Sequence, residues 1–514
     1  MKATNENPIL ESERLASLAS WDANWAGLKV VVAGLGVSGF SAADTLIELG
    51  ARVLVVDGKD DAGNRDKEQT LRIIGAADVL LGEGAMDALP TVDGEKADLV
   101  ITSPGLRPTL GVLADAAAQG VQIWGDVELA WRLRERAGRT TAPWLCITGT
   151  NGKTTTVGML ESILQTAGHK AIAVGNVGTP ILDALRDPVD YDFFAVELSS
   201  FQLHWTHSMS PLASVVLNVA EDHVDWHEGY DNYLADKARI YENTQVACVF
   251  NADAPETITM VEEADVIEGA RAIGFWANTP SVSMLGVIDG LLVDRAFLDD
   301  RKTQALEIGA VEDTGQLPTR HTVENALAAS ALARAAGVSP DQIREGLRAF
   351  EPGDHRIQLV ANTHGVLWVN DSKATNPHAA NASLASFKPV IWIAGGLSKG
   401  VEYDQLVKDH AQRLKAVIAI GTDHDGLLAA LKTHAPEVPV YNITQSARET
   451  GIDITDGSWA MQQAIAKAHE LSEQDDTVLM APAAASMDQF VSYADRGNAF
   501  IDAVANLVEE INGQ

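Results

Sequence analysis

The chain has 514 residues, 46% of them hydrophobic, and a formal net charge of −33 at pH 7. That length exceeds one ordinary core and suggests about three domains of globular composition, which excludes bulk disorder. The charge excludes a broad nucleic-acid surface, and it means that an anionic substrate must be drawn in by a local basic patch.

Residues 1–27 lack the apolar core of a signal peptide and read as an N-terminal extension. Beyond them, strand-like apolar runs alternate with helix-like segments, the pattern of parallel α/β domains. In a first domain, 28–140, "LKVVVAGLGVSG" is a strand entering a Gly-rich turn and "FSAADTLIELG" a helix. "ARVLVVD", "ADLVITS" and "VQIW" are further strands, and the arginine-bearing stretch 133–143 is a linker. A central domain, 141–352, opens with "WLCIT", a phosphate-type loop and a helix to about Gly168. "KAIAV", "YDFFAVEL", "LASVVLNV" and "VACVFN" follow as strands, while "VSMLGVIDGLLV" is either a hairpin or an edge strand. "HTVENALAASALARAAG" and "SPDQIREGLRAF" close this domain. A third, 353–514, has strands in "GVLWVNDS", "PVIWIAGG", "AVIAIG" and "DTVLMAP" separated by helices. Cys146 and Cys248 lie in apolar runs, so no disulfide framework exists and a reducing cytoplasm fits. No apolar run reaches the roughly 20 residues of a membrane helix. A cytoplasmic protein without membrane insertion or nucleic-acid partner is therefore expected.

Gly34-Leu35-Gly36-Val37-Ser38-Gly39 matches G-x-G-x-x-G between a strand and a helix, with Asp57 ending the next strand. Taken alone, this pattern suits a dinucleotide oxidoreductase, a nucleotide-sugar site or a purely structural turn. Gly149-Thr150-Asn151-Gly152-Lys153-Thr154-Thr155 is a shortened phosphate loop. Its backbone N–H groups and Lys153 suit the ATP β- and γ-phosphates, and Thr154 or Thr155 can offer a hydroxyl to Mg²⁺. Glu197 follows one apolar strand, and Asp222, His223 and Asp225 follow another, as a hard cation near a triphosphate would want. His223 and His227, four apart, also suit zinc on a helix or simply a solvated loop. Lys237 lies between Tyr233 and Tyr241 on one helical face, ordinarily the place of a snorkelling surface lysine. The strand exit Asp371–Asn376, the Asp354-His355-Arg356 run and residues 484–497 are turns or ligand contacts.

In combination these stretches resemble the Mur ligases of peptidoglycan synthesis. The resemblance rests on the two glycine loops, Ser103-Pro104-Gly105, Glu197–Gln202, Asp222–His227, Asp371–Asn376 and Ser486–Phe490, all in order. It implies a Rossmann-like UDP-binding domain, a central P-loop ATPase-like domain and a C-terminal Rossmann-like ligase domain. The implied reaction adds D-glutamate to UDP-N-acetylmuramoyl-L-alanine through an acyl phosphate, with ATP and Mg²⁺, in a monomer. By the same resemblance, Lys153 and its loop hold the ATP phosphates and Thr154, Thr155 and Glu197 lie near a first Mg²⁺. His223 serves a second Mg²⁺ and the substrate, and Lys237 carries a carbamate formed with CO₂. Val37, Ser38, Asp57, Lys59, Ser103, Asn176 and Ser199 match positions lining the UDP-sugar site. Asn325, Arg356, Asp371 and Thr375 belong to ATP, and His355, Lys373, Lys399, Ser486, Met487 and Tyr493 to D-glutamate. Thr322 stands where family members often carry Asn, which leaves Asn325 as the adenine-side candidate.

The rival readings are another Mur-type or folate-polyglutamylating ligase, an NAD-dependent oxidoreductase with an incidental phosphate loop, and a non-catalytic nucleotide-binding regulator. The oxidoreductase leaves Glu197, His223 and Lys237 without a shared task.

Overall fold

The computed structural model describes residues 13–512 apart from Pro352 and Lys399. Its first sheet is fully parallel, with β1 (Lys29–Ala33), β2 (Arg52–Asp57), β3 (Asp78–Leu81), β4 (Leu99–Thr102) and β5 (Gln122–Gly125) in the order β3-β2-β1-β4-β5. Parallel sheets are covered on both faces, so their strands read as unbroken apolar runs. Side chains along β1 accordingly alternate between two cores: Val30 and Val32 enter one, Val31 and Ala33 the other.

The second sheet has nine strands, β6 (Trp144–Thr148), β7 (Ala171–Gly175), β8 (Phe193–Glu197), β9 (Ala213–Val216), β10 (Ala247–Asn251), β11 (Arg271–Phe275), β12 (Met284–Ile288), β13 (Leu291–Asp294) and β14 (Leu306–Ala310). Their order is β14-β13-β12-β11-β10-β9-β6-β8-β7, parallel except that β13 runs antiparallel to both β12 and β14. There the 282–293 run forms a hairpin: Asp289 (φ 49°) and Gly290 (φ 80°) take the two left-handed positions of a tight turn. Such an Asp-Gly pair matches the twist of the flanking strands. Strand β11, absent from the sequence reading, is short and contains Arg271 and Gly274, which dilute its apolar signal.

The first two sheets share one core, in which Trp131 meets Trp144 edge-on with ring centroids 5.0 Å apart. Leu15, Leu18, Trp21 and Trp25 join that core. The segment from Glu13 to Gly27 therefore packs with the first domain, and its apolar spacing of three, three and four residues is the signal that marks it. Arg132 donates to the Leu15 carbonyl at 3.1 Å, and Arg136 covers the Trp21 ring at 4.5 Å.

By their contacts, residues up to Asp313 together with Glu324–Phe350 form one compact unit, and Thr314–Val323 with the chain after Glu351 form another. The second unit contains a six-stranded sheet: β15 (Gln358–Thr363), β16 (Val366–Asn370), β17 (Val390–Leu397), β18 (Leu414–Asp423), β19 (Val440–Asn442) and β20 (Thr477–Met480). Its order is β15-β16-β20-β17-β18-β19, with only β15 antiparallel. Among the described residues no helix is long and apolar enough to cross a membrane.

Candidate active site

Open parallel sheets bind ligands beyond the carboxyl ends of their strands, where the strand order reverses. In the second sheet that point lies beside β6, and the loop leaving β6 is the glycine loop 149–152. Gly152 has φ +84°, and a Cβ there would lie 2.5 Å from Asn325 Oδ1, so only glycine fits between loop and helix. The loop is held from β9: Asn151 N donates to Asn218 Oδ1 at 2.9 Å, and Thr150 N to the Asn218 carbonyl at 3.0 Å. Lys153 opens the helix Lys153–Thr166, with Thr154 and Thr155 half-buried beside it in the first turn. Its Nζ curls back to the Gly149 and Thr150 carbonyls at 2.8 and 3.0 Å.

Lys237 approaches the same place from another element. It lies on the helix Tyr230–Ala238, is 2% exposed, and donates from Nζ to the Gly149 carbonyl at 3.1 Å. The surface-lysine reading of this position is thus corrected: Tyr233 and Tyr241 are buried too, so the face all three share points inward. Burial, reinforced by the Lys153 charge, brings the Lys237 amine well below the usual lysine range, with Asp222 and Asp236 opposing the shift. Tyr233 lies under Lys237, 4.7 Å from Nζ to ring centroid, and its hydroxyl meets Thr150 Oγ1 at 2.8 Å.

Glu197 ends β8 and is 1% exposed. Asn176 Nδ2 donates to its Oε1 at 2.8 Å, while Oε2 is buried without a hydrogen-bond partner. An acceptor left in that state is what a hard cation or its bound water would satisfy. The described residues contain no group of three or more His, Cys, Asp or Glu placed to hold a metal. Mg²⁺ does not require one, since one or two carboxylates with substrate phosphates and waters suffice. His223, which starts the helix Val224–His227 at φ 53°, is exposed. His227 is buried instead, with Nδ1 2.8 Å from Asp236 and Nε2 3.0 Å from Ser200 Oγ. His223 is thus solvated while His227 is enclosed with both ring nitrogens engaged, so the two do not form an i, i+4 metal pair.

The first glycine loop sits at the other switch point, between β1 and β4. Gly34 has φ +93°, and a Cβ on it would be 2.5 Å from Ser103 Oγ, an atom buried without a partner. Asp57 accepts from the backbone N–H groups of Leu35 and Lys59 at 2.6 and 2.7 Å. Val37 and Lys59 are exposed and Ser38 is half-buried. Ser38 hydrogen-bonds Asp126, a carboxyl that burial pushes up and that also meets Gln202 Nε2 at 3.4 Å. Asp126 escaped sequence reasoning; an acid at the exit of the short strand β5 was the available signal. Two contacts tie the segment after β4 to the helix Val224–His227: Trp226 Nε1 donates to the Gly105 carbonyl at 3.2 Å, and Arg107 pairs with Asp225. Ser199 caps the helix Ser200–His204 in a reciprocal box with Gln202.

In the second unit, Lys373 N donates to the His355 carbonyl at 3.1 Å, and Lys373 Nζ lies 4.1 Å from the Tyr493 ring centroid. His355 faces the same ring at 6.5 Å and meets Asn370 Nδ2 through Nδ1 at 3.0 Å. Asp371 is buried, which pushes its carboxyl up to about 6 against a hydrogen bond from Ser383. Thr375 N donates to the Lys373 carbonyl at 2.8 Å, Arg356 is half-buried, Ser486 is buried and Met487 is 62% exposed. Lys399 lies outside the described residues. Sequence reasoning missed Arg496, 1% exposed, which ties the 371–376 run to the final helix through Ser372 Oγ and the Ser372 carbonyl, both at 3.0 Å.

Three family models match in succession: the Mur ligase MurD-like N-terminal domain over 28–125, the Mur ligase middle domain over 147–333 and the Mur ligase glutamate ligase domain over 355–484. The chain belongs to the Mur ligase family. It is 51% identical over 483 residues to the UDP-N-acetylmuramoylalanine--D-glutamate ligase of Streptomyces coelicolor, covering 94% of this chain and 99% of that one. With the enzyme of the same name from Leifsonia xyli subsp. xyli it shares 48% over 505 residues, 96% and 95% of the two chains. Among solved structures, MurF from Acinetobacter baumannii matches with a TM-score of 0.54 at 17% identity, over 92% of this chain and 94% of that one. A pseudomurein peptide ligase type C from Methanothermus fervidus gives 0.53 at 19%, over 94% and 100%. These structures establish the three-domain α/β fold.

Proposed function

We infer that this chain is an ATP-dependent ligase that joins the carboxylate of UDP-N-acetylmuramoyl-L-alanine to the amine of D-glutamate in peptidoglycan precursor synthesis. The acceptor and substrate follow from relatives of that name at about half identity over almost the whole chain. The observation that carries the chemistry is the meeting of Lys153 and buried Lys237 at the Gly149 carbonyl, beside a phosphate-type loop.

A carboxylate is a poor electrophile, so the γ-phosphoryl group is first moved onto it, giving an acyl phosphate and ADP. The D-glutamate amine attacks that carbonyl, and the tetrahedral species collapses to amide and inorganic phosphate as the amine's proton leaves. Lys153 and the N–H groups of the loop offset the charge developing on the transferred phosphoryl. The orphaned Glu197 oxygen, with Thr154 or Thr155, would hold one Mg²⁺, and His223 with Lys237 a second. Bound there, Mg²⁺ supplies positive charge to the phosphate oxygens. The depressed amine of Lys237 supports its conversion to a carbamate, because an uncharged amine can attack CO₂, turning a cation into an oxygen ligand. Val37, Ser38, Asp57, Lys59, Ser103, Asn176, Ser199 and His223 are assigned to the UDP-sugar substrate, and Asn325 to the adenine side of ATP. Within the second unit, His355, Lys373, Ser486 and Tyr493 are assigned to D-glutamate. The reading includes a cytoplasmic, monomeric enzyme, for which cell fractionation and sedimentation equilibrium are the checks.

The test is phosphate release from ATP and Mg²⁺ with UDP-N-acetylmuramoyl-L-alanine, comparing D-glutamate with L-glutamate, L-alanine and diaminopimelate. Release with D-glutamate alone is expected. Equal release with another amino acid would move the chain to a different ligase of the same family. For the carbamate, a ¹³C resonance from labelled CO₂ that disappears in Lys237→Ala is expected; the same signal in both proteins would assign it elsewhere.

A further inference from the structure

Three segments carry the groups assigned above to the cations: the exit of β8 with Glu197, the 222–227 run with His223, and the helix Tyr230–Ala238 with Lys237. A largely buried hydrogen-bonded chain joins them: Ser200 and His227 lie within two of the family motifs, whereas Asp236 and His204 lie in none. At its centre is Asp236, 8% exposed and next to Lys237 in the sequence. His204 Nδ1 lies 3.0 and 2.9 Å from its two oxygens, and His227 Nδ1 lies 2.8 Å from Oδ2. A carboxylate only accepts, so both Nδ1 atoms carry the hydrogens. The other nitrogen of His227, Nε2, meets the Ser200 hydroxyl at 3.0 Å.

Ser200 opens and His204 closes the five-residue helix that follows Glu197 and Ser199. One carboxylate therefore grips that helix at both ends, directly through His204 and through His227 at Ser200. Phe201, between them, stacks on the His227 ring (centroids 5.5 Å, 12°) and packs on the His223 ring at 4.8 Å. The order Ser–His–Asp is also that of a hydrolytic nucleophile, but Ser200 is 3% exposed and His227 5%, so no substrate carbonyl reaches the hydroxyl. The arrangement holds parts in place.

We infer that Asp236, with His204, His227 and Ser200, is a positioning clamp that sets Lys237 and His223 against Glu197 and so fixes the ligand geometry offered to the cation. The inference rests on the assignment of those three groups under the proposed function. Groups behind the ligands of a metal typically change affinity or activity by about 10- to 100-fold when removed.

The test uses the full chain with all substrates, measuring phosphate release against Mg²⁺ concentration for Asp236→Asn, Ser200→Ala and the double variant, with Lys237→Ala as reference. For Asp236→Asn the expected result is a kcat about 10- to 100-fold lower and a half-maximal Mg²⁺ concentration about 10-fold higher. The KM for UDP-N-acetylmuramoyl-L-alanine should stay within about threefold, a split that general destabilisation does not produce. Because the chain acts as a unit, the double variant should be no slower than Asp236→Asn alone. Should Asp236→Asn fold poorly, Ser200→Ala, which leaves the carboxylate and both imidazoles in place, must still raise the Mg²⁺ requirement. An unchanged Mg²⁺ requirement with Lys237→Ala inactive overturns the clamp alone. Normal turnover in Lys237→Ala overturns the underlying assignment and the clamp with it.

Discussion

The glycine loops Gly34–Gly39 and Gly149–Thr155 each leave a parallel strand beside a switch point and enter a helix, yet they present opposite chemistry. In the first, Asp57 occupies the Leu35 and Lys59 N–H groups, and the side chains of Ser38, Asp126 and Ser103 crowd the exit. In the second, two lysines from different helices converge on one carbonyl. A glycine loop thus supplies backbone that can approach a ligand, while the charges on neighbouring strand exits and helices decide which ligand it takes. An acid suits hydroxyl and amide donors such as those of a nucleotide sugar; a lysine within a phosphate-type loop suits a triphosphate.

The strongest way to break this contrast is at the two lysines. Lys237→Ala should reduce phosphate release to below detection, and turnover near wild type would remove Lys237 from the reaction. Lys153→Ala should lower kcat by about 100- to 1000-fold, the scale of losing one charge-stabilising donor. Lys59→Ala, at the exit of β2 beside the first loop, should change kcat by less than about threefold, since an exposed charge contributes little. A comparable fall in both would mean that the loops are not specialised.

The glycines sharpen the contrast further. Gly152→Ala should raise the KM for ATP, and Gly34→Ala the KM for the UDP substrate, each leaving the other constant nearly unaltered. Each should also cost about 1–3 kcal/mol of stability from left-handed backbone, read by urea unfolding. Crossed effects on the two constants would show one shared site rather than two.

A pH dependence of stability is also expected in the second unit. Asp371 has its carboxyl raised from 3.8 to about 6 by burial. The folded state then binds more protons than the unfolded one between those values, so stability falls as pH rises through that window and is level above it. The loss amounts to about 3 kcal/mol at most. Asp371→Asn should flatten the pH dependence of the unfolding midpoint between about pH 4 and about pH 6; an unchanged slope would place the titration elsewhere.

Short-range patterns made much of the molecule legible. Alternating strands and helices, the two glycine loops, the strand-exit acids and the apolar runs of β1, β6, β8 and β9 all follow from rules acting over a few residues. Even the 282–293 ambiguity held its answer in Asp289-Gly290, because a two-residue turn is encoded by its own backbone preferences. Lys237 shows where such rules stop. Its sequence neighbourhood reads as an amphipathic surface helix, and only resemblance to a family set it apart. Its inward face is a consequence of packing against a loop 88 positions earlier. The Ser200–His227–Asp236–His204 chain and the Arg496 contacts to Ser372, 124 positions apart, were likewise invisible. The sequence by itself determined the parallel α/β architecture and the backbone of the two loops, since periodicity and left-handed positions are local properties. Which side chains become buried, which carboxylates find imidazoles and which lysine loses its water were decided by the tertiary structure alone. Burial and charge pairing depend on neighbours that chain order does not name.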